Sequence, residues 1–159
     1  AWPMARVTIK RSKQLSDKLK ALRVATQKPV RAALGAAAQD MVEMMRRLAP
    51  DGPGAGEYDL KGTIDWHFGA AEGGGSDAVS GRSVATRATI TAGDAKNPEA
   101  RWMEFGTPPH ENEGKFAGTE NPGVRARPYF FPSYRALKKE AKAKVQRAIT
   151  KAVKEVASR

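Results

Sequence analysis

The plainest pattern in the chain is helical. Val30, Leu34, Ala37, Met41, Met45 and Leu48 follow one another at spacings of 4, 3, 4, 4 and 3, a single apolar stripe on a 3.6-residue period. Asp40, Glu43 and Arg47 lie off the stripe, and Glu43 and Arg47 form a favourable i,i+4 pair. Pro29 suits the first position of this helix, where a missing N–H has no partner to lose. Pro50-Asp51-Gly52-Pro53-Gly54 ends it. Upstream, Leu15, Leu19 and Leu22 predict a shorter amphipathic helix with Ser16 as its cap, fading near Thr26. Arg6 to Lys10 alternates as a short strand does. Towards the other end, Tyr134, Leu137, Ala141, Val145, Ala148, Ala152 and Val156 repeat at 3, 4, 4, 3, 4 and 4. They predict a helix over about 132–157, started by Pro132, whose small side chains suit close packing on another helix. The three methionines Met41, Met44 and Met45 are read as core filler.

A period of two marks two strands. In residues 63–68, Ile64, Trp66 and Phe68 point one way and Thr63, Asp65 and His67 the other. Residues 83–91 alternate again, with Val84, Thr86, Ala88 and Ile90 on one face. The two predict an antiparallel hairpin with a long flexible tip at about 70–82, around Gly73-Gly74-Gly75-Ser76. Arg101 to Phe105 is a third apolar cluster, closed by Gly106. Residues 107–127, rich in Pro and Gly, read as a long irregular loop, of a kind that orders on binding. The whole predicts one α+β domain over residues 1–159: a small antiparallel sheet packed by two or three helices, the last of them long and basic.

Composition sharpens this in two respects. The chain of 159 residues has no Cys, which excludes disulfide scaffolds, thiol nucleophiles and cysteine zinc sites. Its net charge of +11 is unevenly spread. Residues 1–31 hold nine bases and one acid, and residues 135–159 hold nine bases and two acids. The middle, 32–134, has ten bases and fourteen acids. Such a split fits solvated helix faces, electrostatic steering of assembly between copies, or phosphate binding along a basic helix. Lys138, Lys142, Arg147, Lys151 and Lys154 are the candidate electrostatic contacts. The apolar stretch Val30 to Leu48 carries Arg31, Asp40, Glu43, Arg46 and Arg47, so no membrane span is expected. Nothing at the N-terminus resembles a signal segment, and the protein is read as soluble and not exported by that route.

No motif nominates catalysis. His110-Glu111-Asn112-Glu113 brings metal-ligating residue types together, but neighbours on one loop lack an opposing face to complete a site. Gly114-Lys115 is followed by Phe116, and the glycine triplet precedes no helix, so neither is a phosphate cradle. No Gly-x-Ser-x-Gly elbow occurs. The expectation is a protein that is not an enzyme and has no cofactor and no metal.

Three stretches carry a resemblance: Ala49-Pro50 with Leu60-Lys61-Gly62-Thr63-Ile64; Trp102-Met103-Glu104-Phe105-Gly106-Thr107; and Pro128-Tyr129-Phe130-Phe131-Pro132-Ser133 leading into the last helix. In this order, over about residues 15–157, the chain resembles the neck or tail-completion proteins of long-tailed bacteriophages, a family of minor tail components. The resemblance implies a structural virion protein at the head–tail junction or upper tail, assembled in the host cytoplasm. It implies a ring of copies, a hexamer by analogy with the tail tube, joining tail to head around the DNA path. Partners would be copies of itself, neighbouring neck and tail proteins, and DNA passing without specific recognition. The motif residues Pro50, Leu60, Ile64, Trp102, Glu104, Phe105, Gly106, Thr107, Pro128, Tyr129, Phe130 and Pro132 become the candidate assembly interface. The alternative from another class is a small basic protein that binds DNA without sequence preference.

Overall fold

The computed structural model describes residues 12–51, 59–69, 87–94 and 98–158. The elements are α1 (Ser12–Leu48), α2 (Leu60–Thr63), β1 (Asp65–Phe68), β2 (Ala88–Thr91), α3 (Glu99–Phe105), β3 (His110–Glu111), β4 (Glu120–Asn121) and α4 (Phe130–Ala157). A 3-10 turn, Gly114–Phe116, lies between β3 and β4. This is an α+β fold with small antiparallel sheets and a long C-terminal helix, as the periodicities predict. The expected strand at 6–10, the connector at 70–82 and the start of the strand at 83–91 fall outside the described residues.

Two long helices make the frame. The two helices expected on either side of residue 27 are one, because α1 runs through Pro29. Proline forfeits one backbone bond, to the Ala25 carbonyl, but its fixed φ already fits a helix. The residues before it are mostly good helix formers (Leu, Lys, Ala, Arg), so the helix has no other reason to stop. α4 lies along α1 in the opposite direction: Asp40 pairs with Lys144, while Leu48, further along α1, shares a groove with Leu137, earlier in α4. The expected stripes face each other. Met41, Val42 and Met45 of α1 are buried, and Leu137, Ala141 and Ala152 of α4 turn towards the interior. Small residues along α4 let the helices approach closely.

The β1–β2 pair packs across α1. Asp65 stands opposite Thr91 and Phe68 opposite Ala88, antiparallel. Trp66 and Phe68 are half-buried while Asp65 and His67 are exposed, so the predicted alternation holds. Trp66 settles over Gly35, where a Cβ would stand 3.0 Å from the indole ring. The indole N–H donates to Gln39 Oε1 at 2.9 Å, and the Arg31 guanidinium sits 4.0 Å from the Phe68 ring centre. The strand is shorter than the sequence suggests. Leu60 to Thr63 form one helical turn, started by the Asp59 carboxylate accepting the Gly62 N–H at 2.9 Å. Ile64 is then free to drop into the core, with its carbonyl accepting two bonds from Arg46 at 3.0 and 2.7 Å.

Residues 107–127 are not wholly irregular. His110 pairs with Asn121 and Glu111 with Glu120, below a bridge between Thr107 and Val124. Asn112 and Thr119 bond through both backbone and side chains. Local hydrogen bonding supplies structure where hydrophobic periodicity gives no signal. α4 starts at Phe130, two residues before the expected Pro132. Pro132 is the third helical residue, where its missing N–H again has no acceptor to lose.

Candidate assembly surfaces

The second and third motif stretches, far apart in sequence, meet at one junction. α3 ends at Gly106, and the chain returns from the β3–β4 hairpin to enter α4 beside it. Gly106 has φ 73° and ψ 173°, a region open essentially to glycine alone. A Cβ there would lie 2.7 Å from the Val124 carbonyl oxygen. Opposite, Gly123 has φ 75°, and its Cβ would lie 2.3 Å from the Thr107 oxygen. Both glycines therefore allow the Thr107–Val124 bridge to close, and Arg127 N–H completes the seam by donating to Met103 O at 2.7 Å.

Glu104 is the centre of this junction. Its carboxylate is buried and accepts three backbone N–H groups at the start of α4: Tyr129 and Phe130 at 2.8 Å each, and Phe131 at 3.0 Å. These donors have no acceptor within the helix, and the positive end of the 28-residue helix favours the negative charge. Tyr129 itself is buried, with its hydroxyl within 3.5 Å of the Ala100 carbonyl. Burial, then the charges of Glu104 and Glu99, push its phenol up to about 12.

The motif thus divides in two. Leu60, Ile64, Glu104 and Tyr129 are buried inside this chain. They offer little surface to a neighbour; what the structure shows of them is internal packing and capping. Pro50, Gly106, Thr107, Phe130 and Pro132 are half-buried. Trp102, Phe105 and Pro128 face outward, joined by Phe131 and Tyr134. Phe105, 63% exposed, and Phe131 bring their ring centres to 5.9 Å. A cluster of exposed aromatic rings of this kind marks a contact surface more often than a scattered apolar residue does. The aromatic run at 129–131 splits because successive residues entering a helix point in different directions: Tyr129 in, Phe131 out.

The candidate cations Lys138, Lys142, Arg147, Lys151 and Lys154 are all exposed. At 100° per residue, Lys138 and Lys142 fall on one flank of α4, and Arg147, Lys151 and Lys154 on the other. Lys144 differs: it bonds Asp40 and lies 3.5 Å from Glu140, and the Asp40 bond chiefly holds its ammonium above the usual lysine range. The antiparallel pairing also brings the end of α4 towards the beginning of α1. Arg147, Lys151 and Lys154, on the last turns of α4, therefore lie alongside the stretch of α1 that holds Lys28 and Arg31, while Lys138 and Lys142 lie towards the Leu48 end.

Two exposed apolar features escape the sequence reading. Leu15 and Leu19, read as part of the apolar face of a short amphipathic helix, are 60% and 57% exposed on the first turns of α1. Phe116, at the tip of the β3–β4 hairpin, is 69% exposed. A lone Phe amid Gly, Lys and Glu is the one trace it leaves in the sequence. Among the described residues, no three His, Asp or Glu side chains stand close enough to share a metal ion, the 110–113 cluster included. No helix among them is long and apolar enough to cross a membrane. The chain matches no family model, no curated protein and no solved structure.

Proposed function

We propose that this chain is a structural virion subunit of the phage head–tail neck or tail-completion region, assembling as a ring around the DNA path and joining tail to head. The reading starts from the three motif stretches. The observation that carries it furthest is the aromatic ridge of Phe105 and Phe131, with exposed Trp102 one turn back on α3, held outward at the junction the second and third stretches build. The frame beneath is suited to such a role. A buried carboxylate caps α4 and two constrained glycines close the seam, so the ridge sits on a rigid base. In this role no bond is made or broken; the work is in shape and contact. Electron micrographs of purified protein should show closed rings. Particles made without the chain should leave filled heads and finished tails unjoined. Intact particles from the deletion, or a monomer at every concentration, would overturn the proposal.

One observation favours a second reading, a basic protein binding DNA without sequence preference: the exposed cations Arg147, Lys151 and Lys154 share one flank of α4. Titration against random duplex at two salt levels separates the two. Micromolar affinity with a steep salt slope supports it, and its absence removes it.

A further inference from the structure

The exposed helical arm and the hairpin tip lie towards opposite ends of α1. Leu19 stands 29 residues from Leu48, about 44 Å of helix at 1.5 Å per residue. The hairpin hangs from Gly106 and Arg127, beside Met103, which packs on the core near the Leu48 end. Phe116, Leu15 and Leu19 are each more than half exposed, so tip and arm do not cover one another within a chain.

Their chemistry is opposite. The outer part of the hairpin, residues 110–121, holds Glu111, Glu113 and Glu120 against Lys115, a net −2 with an aromatic side chain at the tip, while Arg125 and Arg127 sit at its root. Residues 13–28 hold five bases and Asp17, a net +4. Leu15, Leu19 and Leu22 fall on one face of that helix, with Lys18 and Arg23 on its flanks at 100° per residue. Two arms would repel each other, and so would two hairpins. The aromatic ridge is an unsuitable seat for the arm too, because Arg101 lines its groove and Arg127 and Arg135 stand nearby, all exposed. Of the exposed apolar surfaces among the described residues, the acidic hairpin tip is the one whose charge matches the basic arm.

We infer that the hairpin of one copy docks on the arm of the next, Phe116 lying against Leu15 and Leu19 with Glu111 and Glu113 facing Lys18 and Arg23. This contact joins two different surfaces, so each copy offers one and accepts the other. Head-to-tail contacts of that kind close into rings when the rotation allows. The inference rests on the ring reading and names its contact. A hairpin on four helical turns is small beside a standard interface of about 800 Å² per partner, so closure of the ring and the aromatic ridge must share the load.

The chain has no Cys, which makes cross-linking clean. Leu19→Cys and Phe116→Cys proteins, mixed and oxidised, should give a disulfide-linked dimer that neither gives alone. In sedimentation, Glu111→Lys with Glu113→Lys should raise the concentration for half-assembly about tenfold, and Lys18→Glu with Arg23→Glu likewise. The chain carrying all four reversals should recover. These side chains are exposed, and unchanged circular dichroism checks that the fold survives. An oligomeric wild type with no mixed cross-link and no effect of either reversal overturns this contact and leaves the ring standing. A wild type that never associates overturns both.

Discussion

Glu104 and Tyr129 are 25 residues apart in sequence and joined by a 2.8 Å bond from the Tyr129 N–H to Glu104 Oε2. That bond and its two neighbours make the carboxylate of one short helix the cap of the longest helix that follows it. The Glu-Phe-Gly-Thr stretch and the Pro-Tyr-Phe-Phe-Pro stretch are thus two halves of one structural unit. The side chain between them in the core, not the exposed ridge, sets where α4 begins.

Removing that cap should be costly. Glu104→Ala leaves three N–H groups at a largely buried helix start without an acceptor, and should cost about 3 kcal/mol. Glu104→Gln keeps one acceptor oxygen and should cost less. Urea unfolding of the two variants checks the order. Equal stability of Glu104→Ala and wild type would remove the capping role.

Gly106→Ala should be as damaging, for a backbone reason. Its φ of 73° with ψ of 173° is closed to side chains, and the added Cβ meets the Val124 oxygen at 2.7 Å. The expected loss is about 2–3 kcal/mol. Loss of the Thr107–Val124 bridge should appear as faster amide exchange of Val124.

Tyr129 gives a pH signature. Its phenol is raised from 10.0 to about 12 in the fold, so between those values the folded chain holds a proton that the unfolded chain has lost. Stability from this group is complete below pH 10 and falls as pH rises towards 12, by about 2–3 kcal/mol in all. Tyr129→Phe should be close to wild type at neutral pH, since the hydroxyl's one bond is long at 3.5 Å, and should lose this slope. Unfolding curves of both proteins across that range test it. Parallel declines would place the phenol in an ordinary environment.

The ridge should matter to assembly and little to folding. Phe105→Ser with Phe131→Ser should leave helical circular dichroism intact and shift the unfolding midpoint only slightly, while abolishing rings in micrographs. Rings of normal size from the double variant would move the interface elsewhere.

Salt should act on the arm and hairpin charges. Both lie in solvent, where screening sets in within about 8 Å at physiological ionic strength, so sedimentation should show weaker assembly as salt rises. Insensitivity would assign the contact to apolar surface alone.

Some of this was legible before any tertiary contact was known, for a local reason. A stripe such as Val30 to Leu48 depends on residues three and four apart, and the turn at Gly106 on one residue type, so both can be read along the chain. The break expected at Pro29 failed because one lost hydrogen bond does not end a helix whose flanks both favour it. The strand at 63–68 lost its first two residues because Asp59, four positions before Thr63, captured that turn.

Periodicity determined the apolar stripes of the two long helices, the alternating strand and the apolar faces that must find cover. It could not say which face covers which. That Glu104 caps α4, that Asp40 meets Lys144, and that Leu15 and Leu19 stay uncovered while Met41 and Met45 do not, were decided when α4 lay back along α1. A side chain's neighbours across the core depend on the direction and length of that pairing. α4 ends before it can reach the first turns of α1.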